Sequence, residues 1–209
     1  VNAGGVLKVT GSNDNSSYKD GSLVVGEWNL ARPDVLIKGA LIAEQTSLVG
    51  GDAGFNLNID GGTVLVKGYK TNASKGQTLN TAITNDGKLI LGSNGLTTAN
   101  TTHAAAVTTS VENGTIGIYA DEVSISRNIS LSGSVTFDTQ KYAVDGTTLS
   151  QEGTQGGTLN ISGNLSGDAV ITKVGDGVLN LSGDNDITHT IQLQGGSLAM
   201  NGGSVTVDE

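Results

Sequence analysis

One short pattern recurs from end to end of the chain: a glycine, one intervening residue, then two apolar residues separated by a single position. It reads GVLKV from Gly5, GSLVV from Gly21, GALIA from Gly39, GTVLV from Gly62 and GKLIL from Gly87. It continues as GTIGI from Gly114, GSVTF from Gly133, GTLNI from Gly157, GVLNL from Gly177 and GSLAM from Gly196. Successive glycines stand 16 to 27 residues apart, a period that marks stacked units, none able to bury its own apolar face alone. In GTLNI the alternation puts Leu159 and Ile161 on one face and Thr158 and Asn160 on the other, as in a half-buried strand. The glycine before it supplies the tight bend that carries the chain around a corner.

A second alternation often falls within the same period, for example Val123 and Ile125 followed by Ile129 and Leu131 before the Gly133 strand. Two or three strands per period, with corners of Gly, Asn, Asp and Ser, describe a coil of parallel strands. The fold expected for residues 1–209 is therefore all-β, a single right-handed parallel β-helix of about ten turns, its most regular part at 157–209. A propeller is the main rival, but its blades need longer, aromatic-richer repeats; a sandwich also uses short strands and turns. Where the period stretches, at 96–110 and 139–155, the polar insertions are expected to be loops outside the coil.

Composition narrows the picture. Gly is 32 of 209 residues, Pro is 1, aromatics are 3% and charged residues 15%, which excludes collagen and long-helix architectures. A net charge of −9 with only 11 Lys and Arg argues against nucleic acid and anionic membrane surfaces as partners. No apolar run reaches the ~20 residues of a spanning helix, so no membrane insertion is expected here. With Cys at 0, disulfides, thiol nucleophiles and Cys-ligated metals are excluded.

From Gly167 to Met200 the sequence reads GDAVITKVGDGVLNLSGDNDITHTIQLQGGSLAM. Ile171, Lys173, Gly175, Gly177, Leu179, Leu181, Gly183, Asn185, Gly196 and Leu198 make this stretch resemble the passenger-associated transport repeat of bacterial type V autotransporters. Ile187 and His189 stand where that family usually carries an aromatic residue and a glycine. The resemblance implies an outer-membrane-anchored or released surface passenger, with a signal peptide and a C-terminal β-barrel translocator outside these residues. It also implies that the C-terminal end is the more stably folding part.

Catalytic chemistry is sparse. A Ser/His/Asp hydrolase needs a base beside its nucleophile; His103 and His189 are the two histidines, and neither Gly-Asp-Ser-Gly nor Gly-x-Ser-x-Gly occurs. Polysaccharide-active β-helices use carboxylate clusters on one outer face. The candidates here are Asp14, Asp121, Glu122, Asp138, Asp168, Asp176, Asp184 and Asp186, but Asn and Asp also populate corners because they tolerate turns. No enzyme, cofactor or metal site is expected. The Asn-x-Ser/Thr triplets at Asn15, Asn72, Asn113, Asn128, Asn160, Asn164 and Asn180 read as composition. Trp28 reads as a cap over one end of the coil, the alternative being an exposed contact. Asn160 and Asn180 occupy equivalent places in successive units and are expected to stack as a polar ladder; with Asp184 and Asp186 they are the interaction candidates. The expected function is that of a surface adhesin, acting in cell–cell aggregation by self-association, in biofilm formation, or in attachment to a host or matrix ligand. The alternatives are a stalk that displays an upstream domain, and a polysaccharide-active enzyme.

Overall fold

The computed structural model describes residues 1–9, 22–25, 33–50, 54–70, 78–96, 107–151, 153–187, 190–201 and 204–205. Its strands pair in parallel, circuit upon circuit, along three faces. The first face is built from Val6–Lys8, then residues 40–43, 63–66, 88–91, 115–118, 135–138 and 171–174, and Ile191–Leu193. The second runs through Ser22–Val25, residues 47–50, 68–70 and 95–96, Glu122–Ile125, Thr158–Ile161, Val178–Leu181 and Ser197–Met200. The third comprises Asp34–Ile37, Gly54–Asp60, Thr78–Thr84, residues 107–112, 129–132 and 165–168, Asp186–Ile187 and Ser204–Val205. The chain visits first, second and third face in turn, so the described residues form a coil of parallel strands, the arrangement of a β-helix. Among them no helix is long and apolar enough to cross a membrane.

Among the described residues these faces recur in eight successive circuits, where about ten turns are expected for the chain. The difference lies in how the glycine signature is distributed. Val6–Lys8 and Ser22–Val25, two strands of the signature, belong to one circuit, as do the strands that contain the signatures of Gly133 and Gly157, so the signature marks a strand and not a whole turn. At about 4.8 Å per circuit the described coil is roughly 38 Å long.

The core follows from the alternation. Leu41, Val64, Leu89, Ile116 and Phe137 stand in register on the first face and are buried in one cluster. Leu159, Leu179, Ile161 and Leu181 do the same on the second. Parallel stacking of like on like lets each aliphatic side chain cover the one in the next circuit, each full burial contributing about 1.5–3 kcal/mol.

The stretch at 139–155 departs from the expected loop. Residues 139–141 continue the strand Ile129–Lys141, and the chain then forms an antiparallel hairpin, Ala143–Asp145 with Thr148–Ser150. The physical reason is an apolar stripe on the outside of the coil. Ile42, Leu65 and Ile90 are in register, all buried, and covered by Tyr119, Tyr142, Val144 and Leu149. The arm springs from the sixth circuit, yet the Lys8 ammonium of the first donates to the Gly146 carbonyl at its tip. Its base is fixed by Asp138, which accepts from the Tyr142 hydroxyl at 3.1 Å and from Gln151 Nε2 at 2.9 Å. Of the other insertion, Leu96 and residues 107–110 belong to strands; the remainder lies outside the described residues. Leu149→Asp should release this arm at a cost of roughly 1–2 kcal/mol. Hydrogen exchange would then show lost protection at 143–150 while the coil stays protected.

Candidate interaction surface

The strands that alternate apolar-in leave polar side chains in register on the outside, and these join circuit to circuit. On the second face Asn201 Nδ2 donates to Asn180 Oδ1 at 2.7 Å, Asn180 Nδ2 to Asn160 Oδ1 at 3.1 Å, and Asn160 Nδ2 to Glu122 Oε1 at 2.8 Å. The expected stacking of Asn160 and Asn180 is thus present, half-exposed, and longer than those two residues. A second ladder on the third face was not anticipated: Thr108 Oγ1 donates to Asn80 Oδ1 at 2.7 Å, Asn80 Nδ2 to Asn56 Oδ1 at 2.9 Å, and Asn56 Nδ2 to Asp34 Oδ1 at 2.6 Å. Its four residues are in strict register. The signal was an Asn at the same place in FNLNI and TLNTAI, strands that carry no preceding Gly-x-apolar signature.

The acidic candidates do not converge. The Asp184 N–H donates to Asn164 Oδ1 at 2.9 Å, making a corner ladder with Asn128, whose Oδ1 accepts from the Asn164 N–H at 2.9 Å. Asp186 is exposed on the third face opposite Ser166 and Ser204. Asp121 pairs with Lys141 at 2.6 Å, Asp138 is buried beneath the arm, and the exposed Asp176 donates its N–H to Gln140 Oε1. Asp168 is exposed on the sixth circuit. Among the described residues no three His, Cys, Asp or Glu gather as a metal group would require. Asp14, Asn15, Trp28, Asn72, His103 and His189 lie outside the described residues.

Between the third face and the next first face sits a charged corner. Asp60 accepts from Asn85 Nδ2 at 2.6 Å and pairs with Lys38 at 2.7 Å; the Asn85 hydrogen bond first, then Lys38, hold its carboxyl below the usual 3.8. Lys141 does the same for Asp121. A carboxylate with a depressed folded pKa adds stability above its unfolded pKa and loses it as pH falls through the folded one. Carbon-detected NMR titration should therefore place both midpoints below 3.8, and Lys38→Met should move that of Asp60 upward.

The signature residues at the C-terminal end are architectural. Lys173 is fully buried, in register with Phe137, and its ammonium donates to the carbonyls of Gly175, Gly177 and Gly195 at 2.5, 2.8 and 2.7 Å. Desolvation lowers its pKa, opposed by Asp138 and Asp176. Asn185, buried at the next corner, accepts the Leu165 N–H at 3.0 Å and donates to the Gly183 carbonyl at 3.0 Å. Gly157, Gly177 and Gly196 stack so closely that a Cβ on Gly177 would lie 1.9 Å from the Gly157 carbonyl oxygen, and one on Gly196 2.1 Å from that of Gly177. Gly183 stacks likewise on Gly163, and Gly175 turns with φ +80°. Leu179 and Leu181 fill the core, with Leu198 packed against it.

No family model matches the chain, and no solved structure matches it. It is similar to the adhesin BmaC autotransporter of Brucella suis biovar 1 (strain 1330), 35% identical over 103 aligned residues, which is 46% of this chain. The chain spans only 3% of the length of that relative, so the likeness is to a small part of a much longer autotransporter adhesin.

Proposed function

We propose that the chain is part of an autotransporter passenger, displayed at the bacterial surface or released from it. In this reading it is a right-handed β-helix, the hand favoured for parallel crossovers, and it acts as an adhesin by association with a second copy. The observation that carries the reading is the pair of outward ladders. An Asn in such a ladder uses one amide N–H along the coil and keeps a second N–H and an oxygen lone pair for a partner. Two identical ladders set side by side can exchange those bonds at every circuit. Each contact is weak and exposed, and the total grows with the number of circuits and of copies on a cell. The acidic balance of the chain, −9, makes such pairing sensitive to salt. The likeness to an autotransporter adhesin supports the same reading.

The test is settling of bacteria that display the chain. Changing Asn56, Asn80, Asn160 and Asn180 together to Asp places like charges opposite one another in a paired assembly, and clumping should fall while surface display persists. Unchanged settling would favour a stalk, whose function lies in another part of the passenger. Release of new reducing or unsaturated sugar ends from a glycan would favour an enzyme.

A further inference from the structure

Parallel stacking ties each circuit of a coil to its two neighbours. On the first face this chain departs from that rule. The outer stripe of circuits two to four, Ile42, Leu65 and Ile90, is covered by side chains that belong to later circuits: Tyr119, directly after the fifth-circuit strand, and the arm rooted in the sixth. The Tyr119 hydroxyl donates to the Glu44 carbonyl of circuit two, and the tip of the arm accepts from Lys8 of circuit one. The coil is shaped to receive both rings. A Cβ on Gly92 would lie 2.4 Å from the Tyr119 ring, and one on Gly117 3.0 Å from that of Tyr142.

The root of the arm reaches the other way, into circuit seven. Thr139 Oγ1 donates to the Val174 carbonyl at 3.0 Å, and Gln140 Oε1 accepts from the Asp176 N–H at 3.2 Å. Asp176 lies between Gly175 and Gly177, whose carbonyls hold the Lys173 ammonium. Gln140 Nε2 in turn donates to Thr154 Oγ1 at 3.1 Å, closing the two sides of the root on each other. Beyond the root the hairpin pairs with itself, residues 143–145 with 148–150, so it leaves or returns as one piece. Its hold on the stripe is apolar, through Tyr142, Val144 and Leu149.

We propose that the arm is a latch. Closed, it makes the stability of circuits two to four depend on circuits six and seven, which they do not reach through the stacking of strands. Open, it returns their outer stripe to water while the coil stays folded. The two positions of the hairpin are the switching element, so the coupling passes through a contact made or broken as a unit. Connectivity sets its direction: loss of circuit six strips the arm from circuits two to four, whereas loss of circuit one costs the latch only its tip.

The test uses the full chain. Cys is 0, so single introduced thiols report without background. Leu65→Cys places a thiol under the arm, Val64→Cys one in the core of the same strand, and Ile171→Cys one in the core of circuit seven. In water the thiol at 65 should react with a maleimide roughly tenfold faster when Lys8→Met frees the tip or Gln140→Ala loosens the root, while the thiol at 64 stays protected. In rising urea the thiols at 64 and 171 should open together in the parent, and the one at 64 first in the Lys8→Met and Gln140→Ala chains. Labelling at 65 that neither substitution speeds would overturn the latch, as would thiols at 64 and 171 that open in step whether the arm is held or freed. If Gln140→Ala does not fold, Lys8→Met, a change at an exposed side chain, decides alone.

Discussion

Replacing Lys173 by methionine is expected to lower the unfolding free energy by roughly 3–5 kcal/mol, since it keeps the packed stem and removes the donor for three carbonyls. The carbonyls of Gly175, Gly177 and Gly195 converge on that ammonium at 2.5–2.8 Å, and the residue is fully buried. Without it the three carbonyls lose the donor they share. Urea unfolding should show the midpoint falling with little change in slope. Lys88→Met supplies the control, because Lys88 is exposed on the same face three circuits earlier, and a surface change of that kind stays within about 0.5 kcal/mol. Equal effects at the two positions would show that the three-carbonyl cap contributes nothing.

Gly177→Ala is expected to be worse, at more than about 4 kcal/mol. The added Cβ would meet the Gly157 carbonyl oxygen at 1.9 Å and the Thr139 carbonyl oxygen at 2.7 Å. Both carbonyls accept backbone hydrogen bonds at the corner, Gly157 O from the Val178 N–H and Thr139 O from the Gly157 N–H, so neither can step aside without breaking them. Gly146→Ala offers the contrast. That glycine has φ +62° at the tip of the arm with nothing within 4 Å of an added Cβ, so its cost is the left-handed backbone alone, about 1–2 kcal/mol. Limited proteolysis distinguishes them: the Gly177 variant should be cut throughout 157–201, the Gly146 variant no more than the parent.

Most of the coil is legible in the chain because its period and its strand alternation say the same thing. GTLNI and GVLNL alternate cleanly, and their leucines and isoleucines are in the core. What the glycine spacing does not convey is the number of strands per circuit: a corner glycine can precede a first-face strand, as Gly133 does, or a second-face strand, as Gly157 does. The outer stripe was also readable in principle. GALIA, GTVLV and GKLIL do not alternate, since Ile42, Leu65 and Ile90 stand where Asn160 and Asn180 stand elsewhere, and a strand apolar on both sides needs cover on both. The cover, Tyr142 to Leu149, comes from a stretch of mostly polar residues in which single apolar side chains do the packing, so composition alone reads it as a loop. Gly117 shows the same interplay, for a Cβ there would lie 3.0 Å from the Tyr142 ring. The ladder of Asp34, Asn56, Asn80 and Thr108 is hidden in the sequence because register aligns residues 22, 24 and 28 positions apart. Arg127, buried to 2% exposure, gave no sign at all: a single basic residue in a polar corner looks exposed until the coil closes over it.

Mixing two differently coloured bacterial populations and imaging the clumps decides whether copies of this chain bind one another through their outer faces, as proposed. When both populations display the chain, clumps should contain both colours; when only one does, the bare cells should be left in suspension. Clumps that take up bare cells as readily as displaying ones, or displaying cells that never clump at any salt concentration, would contradict it.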